Sequence, residues 1–258
     1  MNSVTSYGIA LVKKNKIKQN SQFASQFNEN EYDILMIKKR LTYSYITFVK
    51  GIYNKNNENE LLRLFNNMTV EEKFTIMSLN FNMMWYKLTL APMYNTSKYN
   101  IKDISKFEKC KNKFEKSFLY DNGRKLLNIL KRSKSSKKIW EIPKGTKNKN
   151  ESALNAAIRE FTEETNINKD KYKILYNINP ITYTFTDENI TYIYIYYIAV
   201  LLDNRYKVYL DFEYNSNIME ISDIKFININ ELKLINSDNK FINMVKKIIK
   251  ISKPYFIN

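Results

Sequence analysis

The sequence predicts an α+β fold in which strands from both parts of the chain share one sheet and a helical segment separates them. Three observations support this prediction. Runs rich in β-forming residues occur early and late in the chain, a long stretch between them has helical spacing, and an acidic helix follows Gly145.

The strand predictions fall on both sides of the helical stretch. Residues 4–14 and 32–40 are separated by a polar loop and are expected to form a hairpin. Residues 181–202 fit two strands around a turn, and residues 220–229 fit one more. An amphipathic helix is predicted over residues 237–251. Its apolar side carries Phe241, Met244, Val245 and Ile248.

The middle of the chain contains almost no Gly or Pro and has helical spacing in three segments, 58–67, 69–90 and 121–133. Thr69 and Glu72 form the pattern of a capping box. We therefore predict an all-helical insertion domain over residues 43–136, which divides the sheet domain into residues 1–42 and 137–258. The basic run 131–138 is predicted to be the exit linker.

Within that helical stretch, Phe81, Met83, Met84, Trp85 and Tyr86 form a cluster of Met and aromatic residues. We expect the cluster to pack in the core of the insertion. A surface on which nucleic-acid bases stack is the alternative.

The acidic helix carries the residues that predict chemistry. Gly145 is followed by Glu151 and then by Glu160, Glu163 and Glu164. Side chains three and four positions apart share a helix face, so the last three glutamates project together and repel one another. A hard divalent cation, which prefers oxygen ligands, would compensate this repulsion. A solvated acidic face is the alternative interpretation.

Two neighbouring residues are expected to organise this helix. Arg159 carries a planar, fork-shaped cation that suits a carboxylate partner. Asn150 precedes the helix and is predicted to be its N-cap.

Residues 145–167 resemble the Nudix box, GX5EX7REUXEEXGU. The glycine, the first glutamate, the Arg-Glu pair and the Glu-Glu pair all occur at the required spacing. One position departs from the pattern, because Asn166 stands where the family has glycine. Asparagine tolerates a left-handed backbone better than most residues, so we expect the turn to be retained.

The resemblance implies an α/β/α sandwich around a mixed sheet, and hydrolysis of a nucleoside diphosphate linked to another group with Mg²⁺ or Mn²⁺. Carried over by position, Glu160 and Glu164 are the principal metal ligands, with Glu163 and Glu151 in support and the Gly145 carbonyl as a further ligand. Glu160 and Glu163 are thus also candidate catalytic residues.

A general base is expected outside the box, on a later loop, as in several members of the family. Glu220 precedes a predicted strand and is the candidate. Its alternative is an ordinary exposed loop glutamate. Asp187 and Glu188, in the turn after residue 186, are weaker candidates of the same kind.

The triplet Pro143-Lys144-Gly145 precedes the box and places a lysine where it could meet phosphate, so Lys144 is also a candidate catalytic residue. Together with residues 64–90, 121–130 and 140–165, it resembles the mRNA-decapping Nudix enzymes of large cytoplasmic DNA viruses. This resemblance includes the helical insertion. It implies removal of the 5′ cap, release of 7-methylguanosine diphosphate and 5′-monophosphate RNA, and turnover of host mRNA. A diphosphoinositol polyphosphate or dinucleoside polyphosphate phosphohydrolase is the alternative.

The formal net charge of +16, from 42 Lys and Arg against 26 Asp and Glu, favours a polyanionic partner such as capped RNA. A genome rich in A and T, which enriches lysine codons, is an alternative source of part of this excess. The candidate RNA contacts are Lys144, Lys147 and Lys149 near the box, and Lys131, Arg132, Lys134, Lys137 and Lys138 in the linker.

The single cysteine, Cys110, excludes a disulfide within the chain and favours a reducing compartment. No apolar run approaches the length of a membrane span, and residues 1–30 lack the pattern of a signal peptide. We therefore expect an intracellular protein, located in the host cytoplasm if the chain is viral. Oligomeric state is not indicated by the sequence.

Overall fold

The computed structural model describes residues 2–15, 31–90, 101–187, 190–210 and 220–256. The chain divides into two compact units. The sheet unit comprises Met1–Lys38 and Trp140–Asn258, and the helical unit comprises Lys39–Ile139.

The strands are β1 (Asn2–Lys14), β2 (Tyr32–Lys39), β3 (Trp140–Glu141), β4 (Lys144–Thr146), β5 (Tyr172–Ile174), β6 (Ile181–Asp187), β7 (Ile190–Leu201) and β8 (Ile221–Ile227). The helices are α1 (Tyr43–Val49), α2 (Glu58–Asn66), α3 (Val70–Met77), α4 (Phe81–Thr89), α5 (Ile101–Phe118), α6 (Arg124–Arg132), α7 (Ala153–Thr165), α8 (Ile229–Ile235) and α9 (Asn239–Ser252).

The strands form one mixed sheet with the order β3-β2-β1-β7-β5, in which β4 pairs with β1, β6 with β7, and β8 with β2. Strands β1 and β7 run parallel from Asn2 opposite Ile190 to Val12 opposite Val200. Strand β1 pairs antiparallel with β2 and with β4. The predicted hairpin is confirmed, with Val12 opposite Ile34. The predicted strands over residues 181–202 and 220–229 are also confirmed, as β6, β7 and β8.

Successive residues of a strand point to opposite faces of the sheet. Both faces here carry apolar side chains, and each is covered by helices. Ile9 and Leu11 pack in one core cluster with Phe161 of α7. Ala10, Val12 and other residues of the opposite face pack in a second cluster with α8 and α9. The predicted α/β/α arrangement with a mixed sheet is therefore confirmed.

Helix α9 confirms the prediction for residues 237–251. Its N-cap is Asp238, whose carboxylate accepts hydrogen bonds from the backbone N–H groups of Lys240 and Phe241. The four apolar residues predicted to share one side are all buried. The short helix α8 was not predicted, because its seven residues contain too little of a helical repeat.

The helical unit has its own core, built largely from aromatic residues. Phe48 contacts Phe65, Phe114 and Phe118 with ring centroids 5.2 to 6.2 Å apart. Of the Met and aromatic cluster, Phe81, Met84 and Trp85 are buried in this core, whereas Met83 and Tyr86 are about half exposed. Cys110 is buried and is not part of a disulfide. Within the ranges described, no helix combines the length and apolar character needed to cross a bilayer.

The predicted helical segments match the structure with one correction. Segments 58–67 and 121–133 contain α2 and α6, but segment 69–90 is two helices, α3 and α4. Leu79 takes a left-handed backbone conformation with φ of 53° and ends the first of them. Helices α1 and α5 were not predicted individually. The capping box of Thr69 and Glu72 is confirmed, since both of its hydrogen bonds are present.

Two neighbouring buried side chains of α3 hold the first and last segments of the helical unit. The Glu72 carboxylate accepts hydrogen bonds from Thr42 N at 2.7 Å and Thr42 Oγ1 at 2.8 Å. The Lys73 ammonium donates to Ser133 Oγ at 2.7 Å and to the carbonyl of Lys134. The segment that enters the unit and the segment that leaves it are thus anchored on one turn of helix.

Candidate active site

Helix α7 carries the glutamates of the box between two well-defined ends. Its N-cap is Ser152, whose Oγ accepts a hydrogen bond from Asn155 N at 3.1 Å. The prediction of Asn150 as N-cap is therefore wrong; Asn150 instead lies in the preceding turn with φ of 66°. The helix ends at Asn166 in a left-handed conformation with φ of 54°, as predicted.

Strand β4 and helix α7 meet at Gly145. A Cβ atom at this position would overlap the carboxyl group of Glu160, so only glycine permits the observed approach. One turn later, the buried Glu164 carboxylate accepts a hydrogen bond from Lys144 N at 2.9 Å. Glu160 and Glu164, four residues apart, therefore both face β4, as the helical spacing predicts.

Arg159 connects the glutamates. Its Nε donates to Glu151 Oε1 at 2.9 Å, and its Nη1 donates to Glu160 Oε1 at 2.8 Å and to Glu163 Oε2 at 3.0 Å. Its Nη2 donates to the carbonyl of Thr146 at 2.9 Å. One guanidinium thus holds three of the four box carboxylates and anchors them to the end of β4. We expected Arg159 to hold a single carboxylate.

The same contacts set the electrostatics of the cluster. Hydrogen bonds from Arg159, and then from Asn148 N, hold the pKa of Glu151 below its ordinary value. In turn, hydrogen bonding to Glu151 raises the pKa of Arg159. Glu151 therefore stays ionised at neutral pH and Arg159 stays protonated.

Lys144 is buried, whereas a residue that contacts RNA at the surface must be exposed. Its side chain is 3% exposed, and its Nζ forms an ion pair with Glu141 Oε2 at 2.7 Å. The same ammonium lies 4.4 Å from the ring centroid of Tyr194. Burial removes Lys144 from the lysines that could meet an RNA chain at the surface. The sequence analysis did not identify Glu141 and Tyr194 as partners of Lys144. The position of Glu141 three residues before Lys144 could have indicated the ion pair.

The residues considered for the general base lie at strand ends. Glu220 is exposed and directly precedes β8, as predicted, and β8 pairs with β2. Asp187 is exposed at the end of β6. Glu188 lies outside the described residues.

The remaining candidate RNA contacts are mostly exposed. Lys147 and Lys149 lie in the exposed turn between β4 and α7, and Lys131, Lys134 and Lys137 are exposed in the helical unit. Two others are already paired. Arg132 forms an ion pair with Glu58, and Lys138 lies 3.8 Å from Glu71.

The carboxylates of this cluster fit a hard divalent cation by their chemistry, because they are oxygen donors gathered against a glycine that leaves room for them. No group of three His, Cys, Asp or Glu side chains within the described part of the chain is arranged as a formed metal site. Arg159 donates hydrogen bonds to oxygens of Glu151, Glu160 and Glu163.

Comparison with known proteins places the chain in a family. The NUDIX domain matches residues 117–246. The mRNA-decapping protein g5R of African swine fever virus (strain Badajoz 1971 Vero-adapted) is 32% identical over 218 residues, which cover 82% of this chain and 83% of that protein. A putative mRNA-decapping protein of Acanthamoeba polyphaga mimivirus is 27% identical over 194 residues, which cover 67% of this chain and 53% of that protein.

Solved structures similar to this one include a binary complex of the C. elegans Ap4A hydrolase. It has a TM-score of 0.37 and 23% identity, over 45% of this chain and 78% of that one. The family match covers half of the chain, and the African swine fever virus protein aligns with 82% of it. These two sequence comparisons, and not the structural similarity, assign the family. The chain belongs to the Nudix hydrolase family.

Proposed function

We propose that this protein is a metal-dependent hydrolase that removes the 5′ cap of mRNA, releasing 7-methylguanosine diphosphate and leaving 5′-monophosphate RNA. The observation that carries the proposal is the joining of β4 and α7 through Gly145, Glu160 and Arg159, in a chain that is 32% identical to a viral mRNA-decapping protein over 218 residues. Loss of the cap promotes decay of the mRNA.

The proposed roles are those that the Nudix box assigns to these positions. Glu160 and Glu164 would hold the metal ion, and Glu151, Glu163 and the Gly145 carbonyl would support them. When bound, Mg²⁺ or Mn²⁺ would neutralise the phosphate bridge and lower the pKa of the attacking water. Arg159 keeps the carboxylates oriented, and Glu220 is the proposed general base, which would accept the proton of the water. Glu163 is the most exposed of the three glutamates paired with Arg159 and is the one proposed to face the substrate.

In the proposed organisation, residues 43–136 form an insertion domain within a Nudix domain made of residues 1–42 and 137–258. The positive charge of the chain binds the RNA body. Lys147 and Lys149 are the proposed contacts nearest the box, and Lys131, Lys134 and Lys137 are those of the helical unit.

The dependence of rate on RNA length tests this proposal against its alternative. A decapping enzyme with an extended basic surface is expected to hydrolyse a long capped RNA about tenfold or more faster, by kcat/KM, than the free cap dinucleotide. Equal values for both would contradict the proposal. Faster hydrolysis of a diphosphoinositol polyphosphate or a dinucleoside polyphosphate than of either would favour the alternative, which the charge of +16 also suits.

A further inference from the structure

Strands β6 and β7 carry a row of aromatic side chains on one face of the sheet. Their antiparallel register places Phe185 opposite Tyr192 and Tyr183 opposite Tyr194. The rings of Phe185 and Tyr192 are stacked, with centroids 5.0 Å apart and an interplanar angle of 13°. Phe185, Tyr192 and Tyr194 are only partly buried, so part of this aromatic surface is accessible.

The row leads to the proposed active site through successive contacts. Tyr194 lies 5.4 Å from Phe185 between ring centroids, and the Lys144 ammonium lies 4.4 Å from the Tyr194 centroid. Lys144 immediately precedes Gly145 in β4, and its backbone N–H is bound to Glu164. The aromatic row lies on the face of the sheet that packs against α9, opposite α7. It is linked to the carboxylate cluster through Lys144, whose side chain contacts Tyr194 and whose backbone N–H donates to Glu164.

A carboxylate stands at the far end of this row. Asp187 follows Phe185 by two residues in β6, and residues two apart in a strand share a face of the sheet. Asp187 is exposed. The Phe185–Tyr192 pair and the Asp187 carboxylate are thus adjacent on one side of the sheet.

We propose that the Phe185–Tyr192 pair is the stacking platform for the purine base of the substrate, and that Asp187 accepts hydrogen bonds from the N–H groups of that base. The inference rests on the proposed function, under which the base is 7-methylguanine. Methylation makes this base a cation, which aromatic faces attract and which a neighbouring carboxylate stabilises.

The contacts within the row also indicate which aromatic rings the base stacks on. The Lys144 ammonium lies 4.4 Å from the Tyr194 centroid and already covers part of that ring, so the base is expected at the rings farther from Lys144. A centroid distance of 5.0 Å leaves no room for a base between Phe185 and Tyr192. The base therefore stacks on the outer surface of the pair, where Asp187 faces its hydrogen-bonding edge.

Calorimetric titration of the full-length protein with 7-methylguanosine diphosphate, guanosine diphosphate and adenosine diphosphate, in EDTA, tests this assignment without turnover. The unmodified protein is expected to bind the methylated nucleotide about tenfold more tightly than guanosine diphosphate. Tyr192→Leu keeps apolar bulk but lacks the ring, and it should weaken binding of the methylated nucleotide about tenfold. Tyr192→Phe should retain binding, and Asp187→Asn should reduce the preference for guanine over adenine.

Tyr176→Leu is the matched control, because Tyr176 is 67% exposed in a turn outside the row, and it should bind like the unmodified protein. A Tyr192→Leu variant with an unchanged melting temperature and unchanged affinity would overturn the inference, as would the absence of measurable nucleotide binding by the unmodified protein.

If capped RNA is not cleaved but these affinity changes occur, the proposed function fails and the base platform stands. If capped RNA is cleaved and Tyr192→Leu leaves its KM unchanged, the platform alone fails.

Discussion

At the scale of single residues, the close approach of Gly145 to Glu160 explains why the box begins with glycine. The family pattern in the sequence was sufficient to predict Gly145, the spacing of the four glutamates and the left-handed turn at Asn166. The pattern did not predict the burial of Lys144, because its partner Glu141 and its aromatic neighbour Tyr194 come from outside the box. The N-cap was misplaced because Asn150 and Ser152 are both good capping residues, and the backbone turn selects between them.

Gly145→Ala should lower the rate of hydrolysis about a hundredfold while the protein stays folded. The added methyl group would displace the Glu160 carboxyl group, and displacement of a catalytic group by about 1 Å has effects of this size. Steady-state kinetics with a saturating divalent metal measures the change. Thr146→Ala is the control, since Arg159 uses only the backbone carbonyl of Thr146. Full activity of Gly145→Ala would show that the approach is not required.

At the scale of elements, the sequence predicted the strands and the amphipathic helices well because their periodicity is set by burial on one side. It did not predict the break between α3 and α4, since Leu79 is an unusual residue for a left-handed conformation and carries no local indication of a turn. Helix α5, with its many lysines, and the seven-residue α1 and α8 were not identified from pattern alone.

Asp238→Ala should destabilise the sheet unit by about 1 kcal/mol at neutral pH through loss of the N-cap of α9. Burial alone would raise the pKa of Asp238, but hydrogen bonds from Tyr183 and from the N–H groups of Phe241 and Lys240 hold it below its ordinary value. The ionised Asp238 carboxylate therefore contributes fully to the free energy of unfolding above its unfolded-state pKa of 3.8. This contribution is lost as the pH falls through the lower pKa of the folded state.

Urea unfolding of Asp238→Ala and the unmodified protein at about pH 7 and about pH 3 checks this prediction, with Asn239→Ala as the control. The difference between Asp238→Ala and the unmodified protein should shrink at the lower pH. A difference that grows on acidification would contradict the assignment.

Glu72→Ala should destabilise the helical unit by about 2–3 kcal/mol. The buried carboxylate accepts hydrogen bonds from Thr42 N, Thr42 Oγ1 and Thr69 N, and its removal leaves buried donors without an acceptor. The free energy of unfolding measures the loss. Glu71→Ala is a matched control, because Glu71 is the neighbouring, largely exposed residue of α3. Equal effects of the two substitutions would rule out a special role for Glu72.

At the scale of the whole molecule, net charge indicated a polyanionic partner but not which lysines would meet it. The structure separates exposed lysines from those that are buried or paired, such as Lys144 and Lys138. Those differences depend on tertiary contacts between residues far apart in the sequence, as in the pairing of Lys138 with Glu71. The sequence therefore predicted that the protein has a basic surface, but it did not predict which lysines form that surface.

The double substitution Lys147→Ala and Lys149→Ala should weaken the binding of single-stranded RNA and reduce the slope of log K against log salt concentration by about 1.4. Each lost phosphate contact on a single strand lowers that slope by about 0.7. Fluorescence anisotropy over a range of salt concentrations gives both values. Lys169→Ala with Lys173→Ala removes the same charge from other exposed positions and should leave the slope nearly unchanged. Equal slopes for the two double variants would remove Lys147 and Lys149 from the RNA contacts.

Decapping is tested most directly by identifying the nucleotide released from RNA radiolabelled in its cap, after incubation with the protein and Mn²⁺. The unmodified protein is expected to release 7-methylguanosine diphosphate, and Glu160→Gln is expected to release at least about a thousandfold less at an unchanged melting temperature. Release of 7-methylguanosine monophosphate, no release by the unmodified protein, or full activity of Glu160→Gln would contradict the account.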